Sequence, residues 1–403
     1  MMKAIKLFIN KAAMEEYIAQ VGMNQCYLFG DKNKNVICDM KIEYEYFYFE
    51  ALQANSTVFL YHEGTSEHNT DLWYSTDKES WTQYNIPENN TEGTKINLAN
   101  IGDRVYFKGN NLSGWNFSTT SSHIDEKCIN YFNSTGNVKV GGNLLSLIYN
   151  TNHTTIKNIP NNECFAKLFE NKISQAISDA NELLLLSDSL TEACYYNMFY
   201  RCTSLITAPE LPATTLAGFC YYEMFDGCTS LVNAPELPAS TLANYCYDSM
   251  FNGCTSLEVA PELPATTLAG YCYYEMFTGC ISLTSAPELP AIILAEGCYL
   301  NMFSGCTSLT SAPELPAITL ASECYFGMFT DCTSLTSAPE LSATTLAEYC
   351  YYEMFTDCSS LTSAPELPAI TLADGCYYEM FKGCTGLTSA PELPATILAN
   401  GCY

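Results

Sequence analysis

Basic residues are scarce in this chain: 17 Lys and Arg stand against 44 Asp and Glu, for a formal net charge of −27. The imbalance is concentrated. Residues 194–403 hold 21 acidic side chains and two cations, Arg201 and Lys382, so that stretch alone carries −19. Phosphate backbones would be repelled, which argues against nucleic acid as a partner, and anionic membrane surfaces are disfavoured for the same reason. Long apolar runs are also missing. The densest aliphatic stretch, Leu183 to Leu186, falls far short of the ~18 residues of a membrane span, so no membrane insertion is expected. The N-terminus, MMKAIKLFINKAAMEEYIAQ, carries Lys3 and Lys6 but breaks its apolar run after Ile9. It lacks the hydrophobic stretch and small-residue cleavage site of a secretory signal.

Histidine does not occur after His153 and no C-x-x-C is present, which argues against a standard zinc site. Patterns such as G-x-S-x-G, H-E-x-x-H, the P-loop and G-x-G-x-x-G are absent too. His62, His68, His123 and His153 fall in expected loops without a plausible nucleophile partner in sequence. The chain therefore reads as non-enzymatic, with no catalytic residue, metal ligand or cofactor.

What is abundant is repetition. Units beginning at Cys194, Cys220, Cys246, Cys272, Cys298, Cys324, Cys350 and Cys376 recur every 26 residues as C-Y-Y-E-M-F-x-G-C-T-S-L-T-S-A-P-E-L-P-A-T-T-L-A-x-x. A fixed period of this size predicts a solenoid, in which each unit buries its apolar face only by stacking on the next. Residues 194–403 are read as eight such units. Cys164 to Phe169 mirrors C-Y-Y-E-M-F but lies 30 residues before Cys194, so 137–193 is read as a degenerate N-terminal cap. The last unit would expose Leu387, Leu393, Leu398 and Phe381 along its edge, and the expectation is that another copy, a partner or further residues cover it.

Within a unit, Leu205, Leu211, Leu216, Met224 and Phe225 and their equivalents should fill the core. Alternation from Leu205 places Leu205, Thr207, Pro209 and Leu211 inward, with Val259 in an inward slot of its own unit, and Ile206, Ala208 and Glu210 outward. Stacking then aligns Glu210, Glu236, Glu262, Glu288, Glu314, Glu340, Glu366 and Glu392 in one outward column. Burial of unpaired charges would cost several kcal/mol each. The column is either a solvated face or a carboxylate track for a cationic partner or Ca²⁺. Seventeen cysteines of the array, at alternating spacings of 8 and 18, form another column, read as free thiols packed as small hydrophobes rather than disulfides. The position after the invariant Tyr195 and its equivalents carries Tyr196, Tyr222, Tyr274, Tyr352 and Tyr378, but Asp248 in the third unit. A site that accepts aspartate is expected to be exposed, giving an aromatic ridge suited to protein or sugar contacts.

Before the array, residues 1–40 read as a strand from Ala4 to Ile9, a helix capped by Asn10, and a hairpin turning at Gly30 to Asn33. Residues 41–110 alternate in the manner of a small β-sandwich, and 111–136, rich in Asn, Ser and Thr, read as a connector. Trp73, Trp81 and Trp115 are expected in the core rather than on a sugar-stacking surface.

The unit resembles the BspA-like leucine-rich repeat. Leu216 and Ala217 match the hydrophobic step, Tyr221 the aromatic, and Phe225-Asp226-Gly227-Cys228 the closing F-x-x-C, over about 164–403. This version is longer between the aromatic and F-x-x-C. The resemblance implies a curved right-handed solenoid, which together with the strand-rich N-terminal residues gives a mixed chain, a small mostly-β region followed by the repeats. It also implies adhesion to a protein or glycan on a cell surface, as in surface proteins of gut Bacteroidales and similar arrays of their phages. The missing secretion signal shifts the expectation toward a virion protein, one that meets a host surface or other virion subunits, with homo-oligomers possible; a bacterial surface adhesin is the alternative.

Overall fold

The computed structural model describes residues 27–30, 36–39, 46–63, 70–87, 91–112, 115, 129–170 and 176–403. They fall into two compact units, 1–45 and 46–403. The first contains an antiparallel hairpin, β1 (Tyr27–Gly30) with β2 (Val36–Asp39), in which Gly30 faces Val36. This agrees with the hairpin read from the sequence; the strand at 4–9 and the helix after Asn10 lie outside the described residues.

The second unit opens with two sheets. In chain order their strands are β3 (Phe47–Ala51), β4 (Ser56–Glu63), β5 (Trp73–Ser75), β6 (Thr82–Gln83), β7 (Thr91–Glu92), β8 (Ile96–Leu98), β9 (Arg104–Lys108), β10 (Ile129–Thr135), β11 (Val138–Asn143) and β12 (Ile177–Leu184). One sheet runs β12-β11-β3-β9-β5-β6, and the other β10-β4-β7 with β8 also on β4. Strict alternation decides the faces. In β3, Phe47, Phe49 and Ala51 are buried without remainder, and Phe49 meets Phe132 of β10 at 5.4 Å, closing the core between sheets. The opposite face of β3 and β9 carries Tyr48, Glu50, Arg104 and Tyr106. There Arg104 Nε donates to Glu50 Oε2 at 2.6 Å and the guanidinium lies 4.3 Å from the centre of the Tyr48 ring. Residues 129–135, part of the expected connector, are thus a seven-residue strand of the β10-β4-β7 sheet, and 138–143, assigned to the cap, form β11 of the other sheet. Helix is nearly absent: α1 (Ser146–Tyr149) and a 3₁₀ turn after it account for what is described. His62 and His153, expected in loops, are buried in β4 and that turn. Trp115 is buried as expected, while Trp73 and Trp81 are half-buried.

β12 links the sheets to the repeats. It pairs in parallel with β11 on one side and bridges to the first unit on the other, Asp179 to Thr207 and Leu184 to Glu210. From there each 26-residue unit repeats the same bonding. Along Phe219 to Cys228, the odd-numbered amides reach forward to the next unit, as in Tyr221 N to Cys246 O at 3.1 Å and Phe225 N to Met250 O at 2.9 Å. The even-numbered ones close local turns three residues back, as in Met224 N to Tyr221 O at 3.2 Å. Continued turns of this kind would wind into a 3₁₀ helix. A residue of positive φ every fourth position, Phe219 at 57°, Glu223 at 48° and Gly227 at 69°, reverses the winding and leaves alternate amides pointing along the stack. The amides of this strip therefore have partners without regular strand or helix.

The degenerate unit keeps the pattern: Phe165 N, Lys167 N and Phe169 N donate to Cys194, Tyr196 and Met198 carbonyls. Inside, Tyr195 to Tyr377 stack with ring centres 5.6–5.9 Å apart. Phe199 to Phe381 stack at 5.6–5.8 Å. The phenylalanine column runs back through Phe169 to Phe47 of the sheet core, at 5.0 and 5.9 Å, so one apolar interior is continuous from sheets to repeats. Each fully buried Tyr, Met, Phe or Leu contributes about 1.5–3 kcal/mol.

The alternation read within the unit needs correction. Leu205, Pro209 and Leu211 do face inward, but Thr207 and Val259 are exposed, Val259 at 59 %. The strand is reduced to a single parallel bridge at that position, Thr207 to Asn233 and Asn233 to Val259. With no ladder on either side to hold the pleat, two successive residues turn outward before Pro209 restores the phase.

Candidate interaction surface

The glutamate row follows from the repeat. All eight members, Glu210 to Glu392, are exposed, and in the first seven units each stands next to a buried leucine. The row is continuous because every unit places its glutamate at the same offset.

The aromatic positions lie on the turn strip, a different segment of the unit. Tyr196, Tyr222, Tyr274, Tyr352 and Tyr378 are half-buried rather than exposed; Tyr196 lies flat on Tyr222 and Tyr352 on Tyr378, both at 4.8 Å, while Tyr274 meets Tyr271 edge-on at 6.2 Å. Asp248, whose presence suggested exposure, is 3 % exposed. Its one hydrogen bond comes from Ser249 Oγ to Oδ1 at 2.8 Å. Burial first, then the carboxylates of Glu223 and Glu275, push its carboxyl up to about 8. Aspartate is tolerated there because it can be neutral. Asp226 is raised to about 7 by burial and by Glu223, against the opposing pull of Arg201.

A second aromatic column escaped the sequence reading because it occupies one of the two variable places before each cysteine. Phe219, Tyr245 and Tyr271 stack at 4.7 and 5.1 Å, nearly parallel, and Tyr349 stands at the equivalent place, 40 % exposed. The available signal was the run of aromatics at a shared offset, Phe219, Tyr245, Tyr271 and Tyr349. The two columns touch: Phe219 lies 5.9 Å from Tyr222 and Tyr271 6.2 Å from Tyr274.

The cysteines are interior. Cys164 and the seventeen of the array are free and buried. The second of each unit donates its thiol to the carbonyl of the phenylalanine one unit back, from Cys202 on Phe169 at 3.0 Å to Cys384 on Phe355 at 2.9 Å. Burial raises the thiols of both cysteine positions from Cys194 to Cys384, Cys246 and Cys298 to about 12, so they stay protonated at neutral pH. Among the described residues no group of His, Cys, Asp or Glu is arranged to hold a metal, and no helix is long and apolar enough to cross a membrane.

At the edge of the final unit, Leu393 and Leu398 are 55 % and 63 % exposed, while Phe381 and Leu387 are half-buried. A hollow of about 300 Å³ lies there among Leu367, Tyr377, Met380, Phe381, Leu393 and Tyr403.

No known protein family, curated protein or solved structure matches the chain.

Proposed function

We propose that residues 164–403 are a BspA-like leucine-rich-repeat solenoid and that the chain is a non-enzymatic recognition protein. It binds a protein or glycan on a cell surface, carried as an attachment appendage of a phage virion. The observation that supports this reading most is the pair of aligned surfaces, eight exposed glutamates in one row and stacked aromatics in two columns, both repeating at 26 residues. A periodic surface presents the same chemistry many times, so modest contacts add through multivalency rather than through one deep pocket. The acidic row supplies steering toward a cationic target and its salt dependence; the aromatics supply contact area with hydrogen-bonding tips.

The test is to label the native protein with antibody on particles released by lysis and on intact cells, then to measure binding of the full chain to candidate host cells. Label at the tips of particles and salt-sensitive cell binding support the proposal. Label on the bacterial envelope instead points to a surface adhesin, and label confined to subunit contacts inside the particle points to a structural virion component. Either result overturns it.

A further inference from the structure

Asp248 breaks a stack. At the positions 26 residues before and after it, Tyr222 and Tyr274 present their rings, and where two such tyrosines are neighbours their ring centres lie 4.8 Å apart. An aspartate in this place removes one ring from the column and sets a covered carboxyl between the two tyrosines. The neighbouring column closes the sides. Tyr222, Phe219, Tyr245, Tyr271 and Tyr274 form an unbroken chain of ring contacts, at 5.9, 4.7, 5.1 and 6.2 Å, around the gap. The unit has also given up the glutamate that others carry one residue later, in favour of Ser249, whose hydroxyl takes Oδ1. Oδ2 has no hydrogen-bond partner, although the residue is only 3 % exposed.

We infer that this gap is a binding slot for the guanidinium of an arginine side chain on a basic protein partner, which replaces the missing ring between Tyr222 and Tyr274 and pairs with Asp248. A planar delocalised cation stacks on aromatic faces and is weakly hydrated, so it fits a one-ring gap better than a compact ammonium. The charges facing the slot favour it: Glu223 and Glu275 lie above and below Asp248, and no cation contributes to the titration of that carboxyl. Because the carboxyl is covered, the incoming group must part the surrounding rings. Because the carboxyl is largely protonated at neutral pH, binding must also release a proton. The inference deepens the recognition reading above and rests on it, but its test needs no knowledge of the target.

N-acetyl-arginine methylamide and its neutral isostere, N-acetyl-citrulline methylamide, are titrated calorimetrically into the full chain at about pH 6 and about pH 9, either side of the carboxyl's titration. The arginine compound should bind at least about ten-fold tighter than citrulline, as one charge-assisted contact supplies. It should also bind more tightly at the higher pH, with proton release in between. D248Y restores the ring of the consensus, so it should fold with an undiminished melting temperature and lose arginine binding; D248N should lose it to a similar extent by removing the charge alone. Equal binding of citrulline, undiminished binding by D248Y or D248N, or no binding by the unmodified chain at the higher pH would overturn the slot. Failure of the slot with cell binding retained leaves the wider recognition reading standing, whereas loss of cell binding alone leaves the slot standing.

Discussion

The thiol of Cys228 donates to the carbonyl of Phe199, one unit back, at 3.2 Å. That carbonyl also accepts the backbone amide of Cys202 at 3.0 Å, so the cysteine satisfies a second lone pair that no other amide reaches. Cys254→Ala, which removes the same bond to Phe225 and leaves a small void, should lower stability by about 1–2 kcal/mol in urea unfolding. Alkylation of the native chain followed by mass spectrometry should spare Cys202 to Cys384 and label them only after unfolding. Ready labelling in the native state would contradict their assignment as interior groups.

Gly141 lies under the ring of Tyr48, and a Cβ there would come within 2.5 Å of Cζ. Tyr48 is buried and its hydroxyl donates to Glu182 of β12, the strand that joins the sheets to the repeats. Gly141→Val should displace the ring and destabilise the second unit by about 1–3 kcal/mol. Gly102→Ala is the contrasting case, a positive φ of 87° with nothing within 4 Å of an added Cβ, so any loss there comes from backbone strain and not from a clash.

Every unit spends conformational energy on its left-handed residues. Asp331 and Asp357, at φ of 60° and 59°, occupy the place that Gly227, Gly253, Gly279, Gly305 and Gly383 fill elsewhere, and both are exposed. Asp331→Gly should therefore stabilise by about 0.5–1 kcal/mol, and Gly305→Ala should destabilise by about 1 kcal/mol, read as shifts in the urea midpoint.

The pH profile has a defined sign. Asp226 and Asp248 titrate at about 7 and about 8 in the folded chain, against 3.8 for the free side chain. Between these values the native state holds protons that the unfolded state has lost, so stability falls as pH rises from about 4 through about 8, and levels off above. D248N should flatten the upper part of that fall. A melting temperature that rises across the same interval in the unmodified chain would contradict the burial of these groups.

Like charges in the exposed row repel one another. Replacing Glu262, Glu288 and Glu314 together with Gln should raise the melting temperature at low ionic strength by an amount equivalent to a few tenths of a kcal/mol per contact, and the gain should vanish near 1 M salt. If binding to a target weakens in the same variant, the row is a contact surface; unchanged binding with poorer solubility makes it a solvated face.

The period, the buried columns and the exposure of the glutamates were legible because they are sums over eight copies: a side chain such as Phe225 or Glu236 repeats in the same environment. Single departures were not. Asp248 read as exposed because a charged aspartate is costly to bury, and the sequence cannot display the proton that makes it neutral. Thr207 and Val259 read as inward because alternation was extended through a segment that forms only isolated bridges. Residues 129–143 read as connector and cap because their partners, β4 and β3, lie more than 60 positions earlier, beyond the reach of local pattern.

Alternate amides of the turn strip cross from one unit to the next, so the bonds that hold neighbours together lie along the axis of stacking. A pull applied at the far end would load one rung at a time rather than shearing many in parallel. Each rung that gives way pays out 26 residues, up to about 90 Å of chain. The aromatic and cysteine columns behind it keep their own contacts. Under mechanical tension the array is thus a stepwise extender, yielding length before it yields its hold.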